Sequence, residues 1–119
     1  MFASGSLLAQ ARPAGTTAVT AFAASMRTEI TRIVVCNTTG SAAAFSIYHD
    51  DDGTTFDETT ALYFGQTLAA NTTTTVEAAA VGGGLTLAEG GAIGIKAGTG
   101  SALTFSIYGV TQMTPTRRV

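Results

Sequence analysis

The tetrapeptide Phe-Ser-Ile-Tyr occurs twice in this chain, in "AAAFSIYHDD" at residues 42–51 and in "ALTFSIYGVT" at residues 102–111. Successive side chains of a β-strand point to opposite faces of a sheet, so the Phe and Ile of each copy share one face and the Ser and Tyr share the other. Such alternation is typical of a strand with one buried face. We therefore predict two core strands of one sandwich, and not a duplicated binding site.

A third segment, "ALYFG" at 61–65, follows the same alternation. It predicts that Leu62 and Phe64 lie inside, next to Phe45 and Phe105, while Tyr63 points outward. All tyrosines would then face away from the core. Because Tyr is enriched at protein interfaces, one interpretation is that they form a contact surface, and the other is that they are ordinary amphipathic surface residues. The candidate interface tyrosines are Tyr48, Tyr63 and Tyr108.

The rest of the chain repeats this style of short apolar runs separated by Gly, Asn and Asp, and no stretch sustains helical periodicity over ten residues. Regularly spaced short strands with turn signals indicate an all-β domain. We predict a single β-sandwich of about eight strands, with either jelly-roll or immunoglobulin-like topology. The predicted strands are 6–12, 16–23, 28–37, 42–49, 60–68, 72–79, 91–97 and 102–110, with a short extra one at 84–87.

A length of 119 residues suits one domain. We assign residues 16–110 to the sandwich, residues 1–15 to an extended N-terminal arm and residues 111–119 to a polar C-terminal tail, in which a proline bars a helix. No stretch reaches the roughly 20 apolar residues of a membrane helix, so no membrane association is expected. The two ends supply further candidate interface residues, namely Arg12, Pro13, Arg117 and Arg118. For the basic pair at the C-terminus the alternatives are contact with an acidic partner surface and a solvated tail.

The composition favours a structural role. Ala, Thr and Gly make up 57 of the 119 residues, which points to a tightly packed, β-rich protein used in many copies. Only 14 residues are charged, the net charge is −2, and no basic patch is visible that could displace counterions from nucleic acid. Five of the eight acids fall within residues 50–58, so the negative charge is local.

That acidic stretch, "HDDDGTTFDE", is the one segment with the residue types of a metal site. An EF-hand loop needs an acid at its first position, Gly at the sixth and Glu at the twelfth. Aligning Gly53 with the sixth position puts Tyr48 at the first and Thr59 at the twelfth, so this motif fails. A solvated hairpin is the main interpretation, and a looser site of Asp50, Asp52 and Asp57 is the alternative.

The reactive side chains are too few for a recognisable catalytic set. His49 is the sole histidine and Cys36 the sole cysteine, so neither a zinc site nor a disulfide within the chain is expected. Cys36 ends the run "IVVC" at 33–36, which predicts a buried apolar role for its side chain. The run is apolar on both faces, and we expect its outer side to be covered by the N-terminal segment, a second layer or a neighbouring subunit. We predict no catalytic residue, no cofactor, no metal and no enzymatic activity.

Four segments of the chain form a recognisable set: a Gln-x-x-Pro motif (Gln10 to Pro13), the strand end Val35-Cys36-Asn37, the Asp52-Gly53 hairpin and the closing "GGAIGIKAGTGSALTFSIYGV". In these segments, and across about residues 6–110, the chain resembles small virion proteins of tailed bacteriophages.

The resemblance implies a β-sandwich used in many copies without catalysis, either in capsid decoration (cement) or in the tail. It further implies a virion location after assembly in the host cytoplasm, the major capsid protein as partner, and a homotrimer, since decoration sites often lie on local three-fold axes. The alternative is a tail or tail-fibre module that binds a host-surface glycan in a shallow groove lined by tyrosines and Asp residues. A small hydrolase using His49 is a third, weaker hypothesis.

Overall fold

The structure is a computed structural model that describes residues 6–77 and 85–111. These residues form nine strands: β1 (Ser6–Ala11), β2 (Val19–Ala23), β3 (Thr28–Asn37), β4 (Ala43–Asp50), β5 (Ala61–Leu68), β6 (Thr73–Glu77), β7 (Leu85–Leu87), β8 (Ala92–Ala97) and β9 (Leu103–Thr111). The predicted all-β class is confirmed. In the described part of the chain no helix is long and apolar enough to cross a bilayer.

The strands form two packed antiparallel sheets. The first sheet has the order β1-β9-β3-β6, with β7 also paired to β3, and the second has the order β2-β8-β4-β5. The pairs β1–β9, β2–β8, β3–β6 and β4–β5 are nested, as if one long hairpin were wound into a sandwich. With β7 set aside, this is the jelly-roll arrangement of two four-stranded sheets, so the structure selects it over the immunoglobulin-like alternative.

The core lies between the sheets and consists mainly of the residues that the alternation assigned to it. Phe45 and Ile47 of β4 face Phe105 and Ile107 of β9 across the interior, and the two phenyl rings meet edge to face with centroids 6.5 Å apart. Ile95 is fully buried between them and the neighbouring strands. Both copies of Phe-Ser-Ile-Tyr are therefore core strands, one in each sheet, as predicted.

The predicted orientation of β5 is right for Leu62, which packs against the core, but wrong for Tyr63 and Phe64 because the strand contains bulges. Opposite Ser46 of β4, strand β5 places two residues, Phe64 and Gly65, and Gly65 adopts a positive φ of 65°. The Ser46 hydroxyl accepts the Gly65 N–H at 3.0 Å and fills the irregularity. Tyr63 consequently lies opposite Ile47 and packs against Phe45, whereas the Phe64 ring points to the outer face and is 51% exposed.

Tyr48 also departs from its predicted environment. It lies on the outer face of the second sheet, as the alternation requires, but it is only 1% exposed. The loop after β4 folds back so that the Phe56 ring covers Tyr48, with ring centroids 6.1 Å apart. Gly94 on β8, which pairs with Tyr48, provides the space: a Cβ there would lie 2.5 Å from a Phe56 ring carbon. Tyr48 therefore belongs to a small second core.

The segment assigned to an N-terminal arm contributes β1 to the edge of the first sheet. After β1, Arg12 donates hydrogen bonds to the hydroxyls of Thr38 and Thr104 and to the Ser101 carbonyl. The Pro13 carbonyl accepts the Ser101 N–H at 2.8 Å. These bonds fasten the N-terminal strand to the end of the sandwich where β3 finishes and β9 begins. Residues 1–5 and 112–119 lie outside the described residues.

Candidate binding groove on the outer face of the second sheet

A groove of about 400 Å³ opens on the outer face of the second sheet. Its apolar walls are the rings of Phe56 and Phe64, and its floor includes the covered edge of Tyr48. Hydroxyl and charged groups stand around these rings. The complete lining is Thr16, Thr17, Ala18, Tyr48, Phe56, Asp57, Glu58, Phe64 and Lys96.

A smaller hollow of about 170 Å³ lies beside the groove. Phe64 and Lys96 line both depressions, so these two side chains form a ridge between them. The floor of the smaller hollow is made of small residues, namely Ala44, Ser46, Gly65 and Gly98. The bulge creates this relief, because it turns Phe64 outward instead of leaving a flat sheet surface.

The groove carries both signs of charge. Asp57 accepts the hydroxyl hydrogen of Thr59 at 2.6 Å and its N–H at 2.8 Å, and these bonds hold the pKa of Asp57 below its ordinary value of 3.8. Glu58 is exposed, and Lys96 forms no salt bridge with any carboxylate in residues 6–77 or 85–111. The groove thus places two acidic side chains and a lysine next to the half-buried Phe56 ring and the exposed Phe64 ring.

The neighbouring acidic loop is a hydrogen-bonded turn. The Asp50 carboxylate accepts the N–H groups of Thr54 and Thr55. The Thr54 hydroxyl donates a hydrogen bond to the Asp52 carboxylate at 2.7 Å. This bond is the largest of several that hold the pKa of Asp52 below 3.8. Asp57 is engaged separately by Thr59. Among the described residues, no three His, Cys, Asp or Glu side chains are grouped to hold a metal ion.

The sole histidine and the sole cysteine of the chain lie on different sheets. His49 ends the inward-facing side of β4, with its Nε2 atom 3.8 Å from an Asp51 carboxylate oxygen and without a hydrogen-bond partner among the described atoms. Cys36 is a free thiol on the outer face of the first sheet, where it is half-buried between Thr73 and Thr104 on the flanking strands. Cys36 is therefore less buried than predicted, whereas the preceding residue, Val35, faces the core and is fully buried.

The structure does not bring the sequence-predicted interface residues together. Tyr48 lies beneath Phe56, Tyr63 packs inward, and Tyr108 lies on the outer face of the first sheet, where the Arg32 guanidinium sits 5.1 Å above its ring. Arg12 is exposed and Pro13 is buried at the end of the sandwich. Arg117 and Arg118 lie outside the described residues.

Sequence reasoning missed the groove, whose defining residues are Phe56, Phe64 and Lys96. The available signal was Gly65 within an otherwise regular strand, since a glycine inside a strand often marks a bulge. Nothing in the sequence indicated that Phe56, in a loop between acids, would fold onto Gly94.

Comparison of the whole sequence with protein-family models and with curated proteins finds no match.

Proposed function

We propose that this protein is a non-enzymatic structural component of a tailed-phage virion, a decoration (cement) protein that bridges major capsid subunits and stabilises the head. The observation that carries the proposal is the outer face of the first sheet. There Val34 and Cys36 remain half-exposed, although the core-facing side of the same run is fully buried. This outer side is where the sequence predicts a cover, and a neighbouring protein would provide one.

The residues around Val34 suit such a contact. On each side of β3, the side chains paired with Val34 and Cys36 are short, so the surface is even. They are Thr73, Thr75, Thr104 and Ser106, of which Ser106 is already buried and accepts a hydrogen bond from Gln10. Short side chains lose little rotamer entropy when they are buried, so a surface of this kind can dock against another protein at low cost.

The mechanism we propose is mechanical. A homotrimer on a local three-fold axis would contact several major capsid subunits at once, and each added contact would form at the high effective concentration set by the first. Many such bridges together would oppose the pressure of packaged DNA. The antiparallel pairing of β1 with β9, reinforced by Arg12, supports this proposal because it keeps the chain from being pulled apart at that edge.

The direct test is to fractionate purified virions of the phage that encodes the chain and to count its copies by quantitative mass spectrometry. The proposal expects the chain in the head fraction, in a ratio to the major capsid protein that matches the three-fold positions. Recovery in the tail fraction, at six or twelve copies for each particle, would contradict the decoration role.

A specific observation favours a second candidate, a tail or tail-fibre module that binds a host glycan. The groove on the second sheet combines the Phe56 and Phe64 rings with the carboxylates of Asp57 and Glu58. Aromatic rings that stack on sugars and polar groups that bind hydroxyls are the components of a shallow glycan site.

This candidate is tested by incubating the labelled protein with host cells and with a glycan array. Glycan binding at the groove would be supported if Phe64→Ala abolished retention and Leu7→Ala did not. Leu7 is the control because both side chains are about half-exposed but lie on different sheets. Absence of retention at high protein concentration would reject it.

A further inference from the structure

The ridge and the two hollows on the second sheet form a surface that is complementary to itself. We call Phe64, Lys96, Asp57 and Glu58, with the hollows on either side, the Phe64 patch. Its ridge projects from the sheet, and the adjoining depressions of about 400 and 170 Å³ could receive a ridge of similar size. Phe64, at 51% exposure, is the most exposed large apolar side chain of the described residues.

The charges of the patch are arranged in the same self-complementary way. Lys96 stands on one side of the groove and the carboxylates of Asp57 and Glu58 line the same depression, yet no salt bridge joins them within the chain. A second copy facing this surface would present carboxylates to Lys96 and an ammonium group to the carboxylates. A strongly basic or strongly acidic partner would meet repulsion from one of the two sets.

β5, the strand that carries Phe64, is protected at its open edge by its bulges and not by charge or proline. β5 is an edge strand, bonded to β4 on one side and to no other strand of the described chain. Residues 59–76 contain no charged side chain and no proline, and charge and proline are the common means of blocking an exposed edge. Strand pairing of two copies along this edge is hindered by the bulges, so the outer face that carries Phe64 is the surface left for a contact.

We propose that the Phe64 patch is the contact surface for a second copy of this chain, with Phe64 as its apolar anchor and Lys96 paired to Asp57 or Glu58 of the other copy. Aromatic side chains in desolvated central positions supply much of the binding energy of protein interfaces. A reciprocal contact of this kind joins two copies about a two-fold axis. It is distinct from the three-fold contacts proposed on the capsid and does not depend on them.

The test is the native mass of the full chain, measured by light scattering over a range of concentrations, for the wild type, Phe64→Lys and Leu7→Lys. Leu7 is the matched control because it is 49% exposed and lies on the first sheet. We expect a wild-type dimer that Phe64→Lys shifts to monomer and Leu7→Lys leaves intact. A monomeric wild type, or an oligomer that survives Phe64→Lys, would overturn the proposal.

A charge-reversal series tests the polar part of the contact and does not rely on Phe64. Lys96→Glu is expected to weaken association at least tenfold, and Lys96→Glu combined with Glu58→Lys is expected to recover part of the loss. Far-ultraviolet circular dichroism and a thermal melt of each variant check that the fold is retained. No effect of either charge reversal in folded protein would contradict the pairing.

These results separate the contact from the proposed function. A Phe64-dependent oligomer that does not bind capsids would leave the contact established and the decoration role rejected. A monomeric protein that binds capsids would reject the contact between copies and support the decoration role.

Discussion

Gly94 shows how one missing side chain determines a surface. Its Cβ position is filled by the Phe56 ring, which covers Tyr48 and forms a wall of the groove. We predict that Gly94→Ala displaces Phe56 and lowers the free energy of unfolding by about 1–3 kcal/mol, as overpacking does elsewhere. Urea unfolding followed by tyrosine fluorescence measures this.

The matched control is Gly40→Ala, because a Cβ at Gly40 would meet no atom within 4 Å and its φ is not positive. It should change the stability little. If Gly94→Ala were as stable as this control, Phe56 could not be packed as described.

Asp57 provides a pH-dependent prediction. In the folded protein the pKa of Asp57 is lowered from 3.8, first by the hydroxyl and then by the N–H of Thr59. The ionised carboxylate therefore stabilises the fold above about pH 4, and this stabilisation is lost as the pH falls through the lowered pKa. Thr59→Val should raise the pKa of Asp57 toward 3.8, as measured by NMR titration of the side-chain carboxyl. Thr55→Val, which removes a nearby hydroxyl that does not bond to Asp57, should leave the titration unchanged.

At the scale of the element, sequence patterning located the strands well and oriented most of them correctly. The eight predicted strands and the short extra one correspond to β1–β9 within a few residues at each described end. Positions 78, 79 and 84 of the prediction lie outside the described residues. The exception is β5, where Tyr63 and Phe64 exchange faces. One extra residue in a strand moves each later side chain to the opposite face of the sheet. Whether such a bulge forms depends on the partner strand, here on the Ser46 hydroxyl that accepts the Gly65 N–H.

The attachment of β1 gives a prediction for an element. Arg12 fastens the end of β1 to Thr38, Thr104 and Ser101. Arg12→Ala should lower the stability by about 0.5–1.5 kcal/mol, typical of lost hydrogen bonds, and should speed amide exchange selectively in residues 6–11. Hydrogen exchange with mass spectrometry resolves that segment.

Arg27→Ala is the matched control for Arg12→Ala, since it removes the same charge at the opposite end of the sandwich. It should leave the exchange of residues 6–11 unchanged. Equal acceleration by both variants would mean that Arg12 acts only through its charge.

At the scale of the whole molecule, the sequence indicated a sandwich but left two topologies open. The choice depends on which strands pair across the chain, such as β1 with β9 and β2 with β8, and short-range alternation carries no information about such distant partners. The outward apolar side of residues 33–36 could be anticipated, because that run is apolar at every position. The groove could not, because it is assembled from a loop, a bulge and a glycine on three separate segments.

The two outer faces of the sandwich therefore suggest different uses. The first sheet presents an even surface around Val34, which we assign to the capsid, and the second presents the Phe64 patch, which we assign to another copy. A protein with two such faces could bind the capsid with one sheet and a second copy of itself with the other. The proposed cement role requires the first contact, and the second would strengthen it through multivalency.

The central claim is that the chain stabilises the head, and the most direct measurement is the temperature at which DNA leaves phage heads assembled without it. Release is followed with a DNA-binding dye before and after adding the purified protein, with the Val34→Lys variant in parallel. The account predicts that the wild type raises the release temperature by several degrees and that Val34→Lys, folded by circular dichroism, does not. An unchanged release temperature at saturating wild-type protein would contradict it.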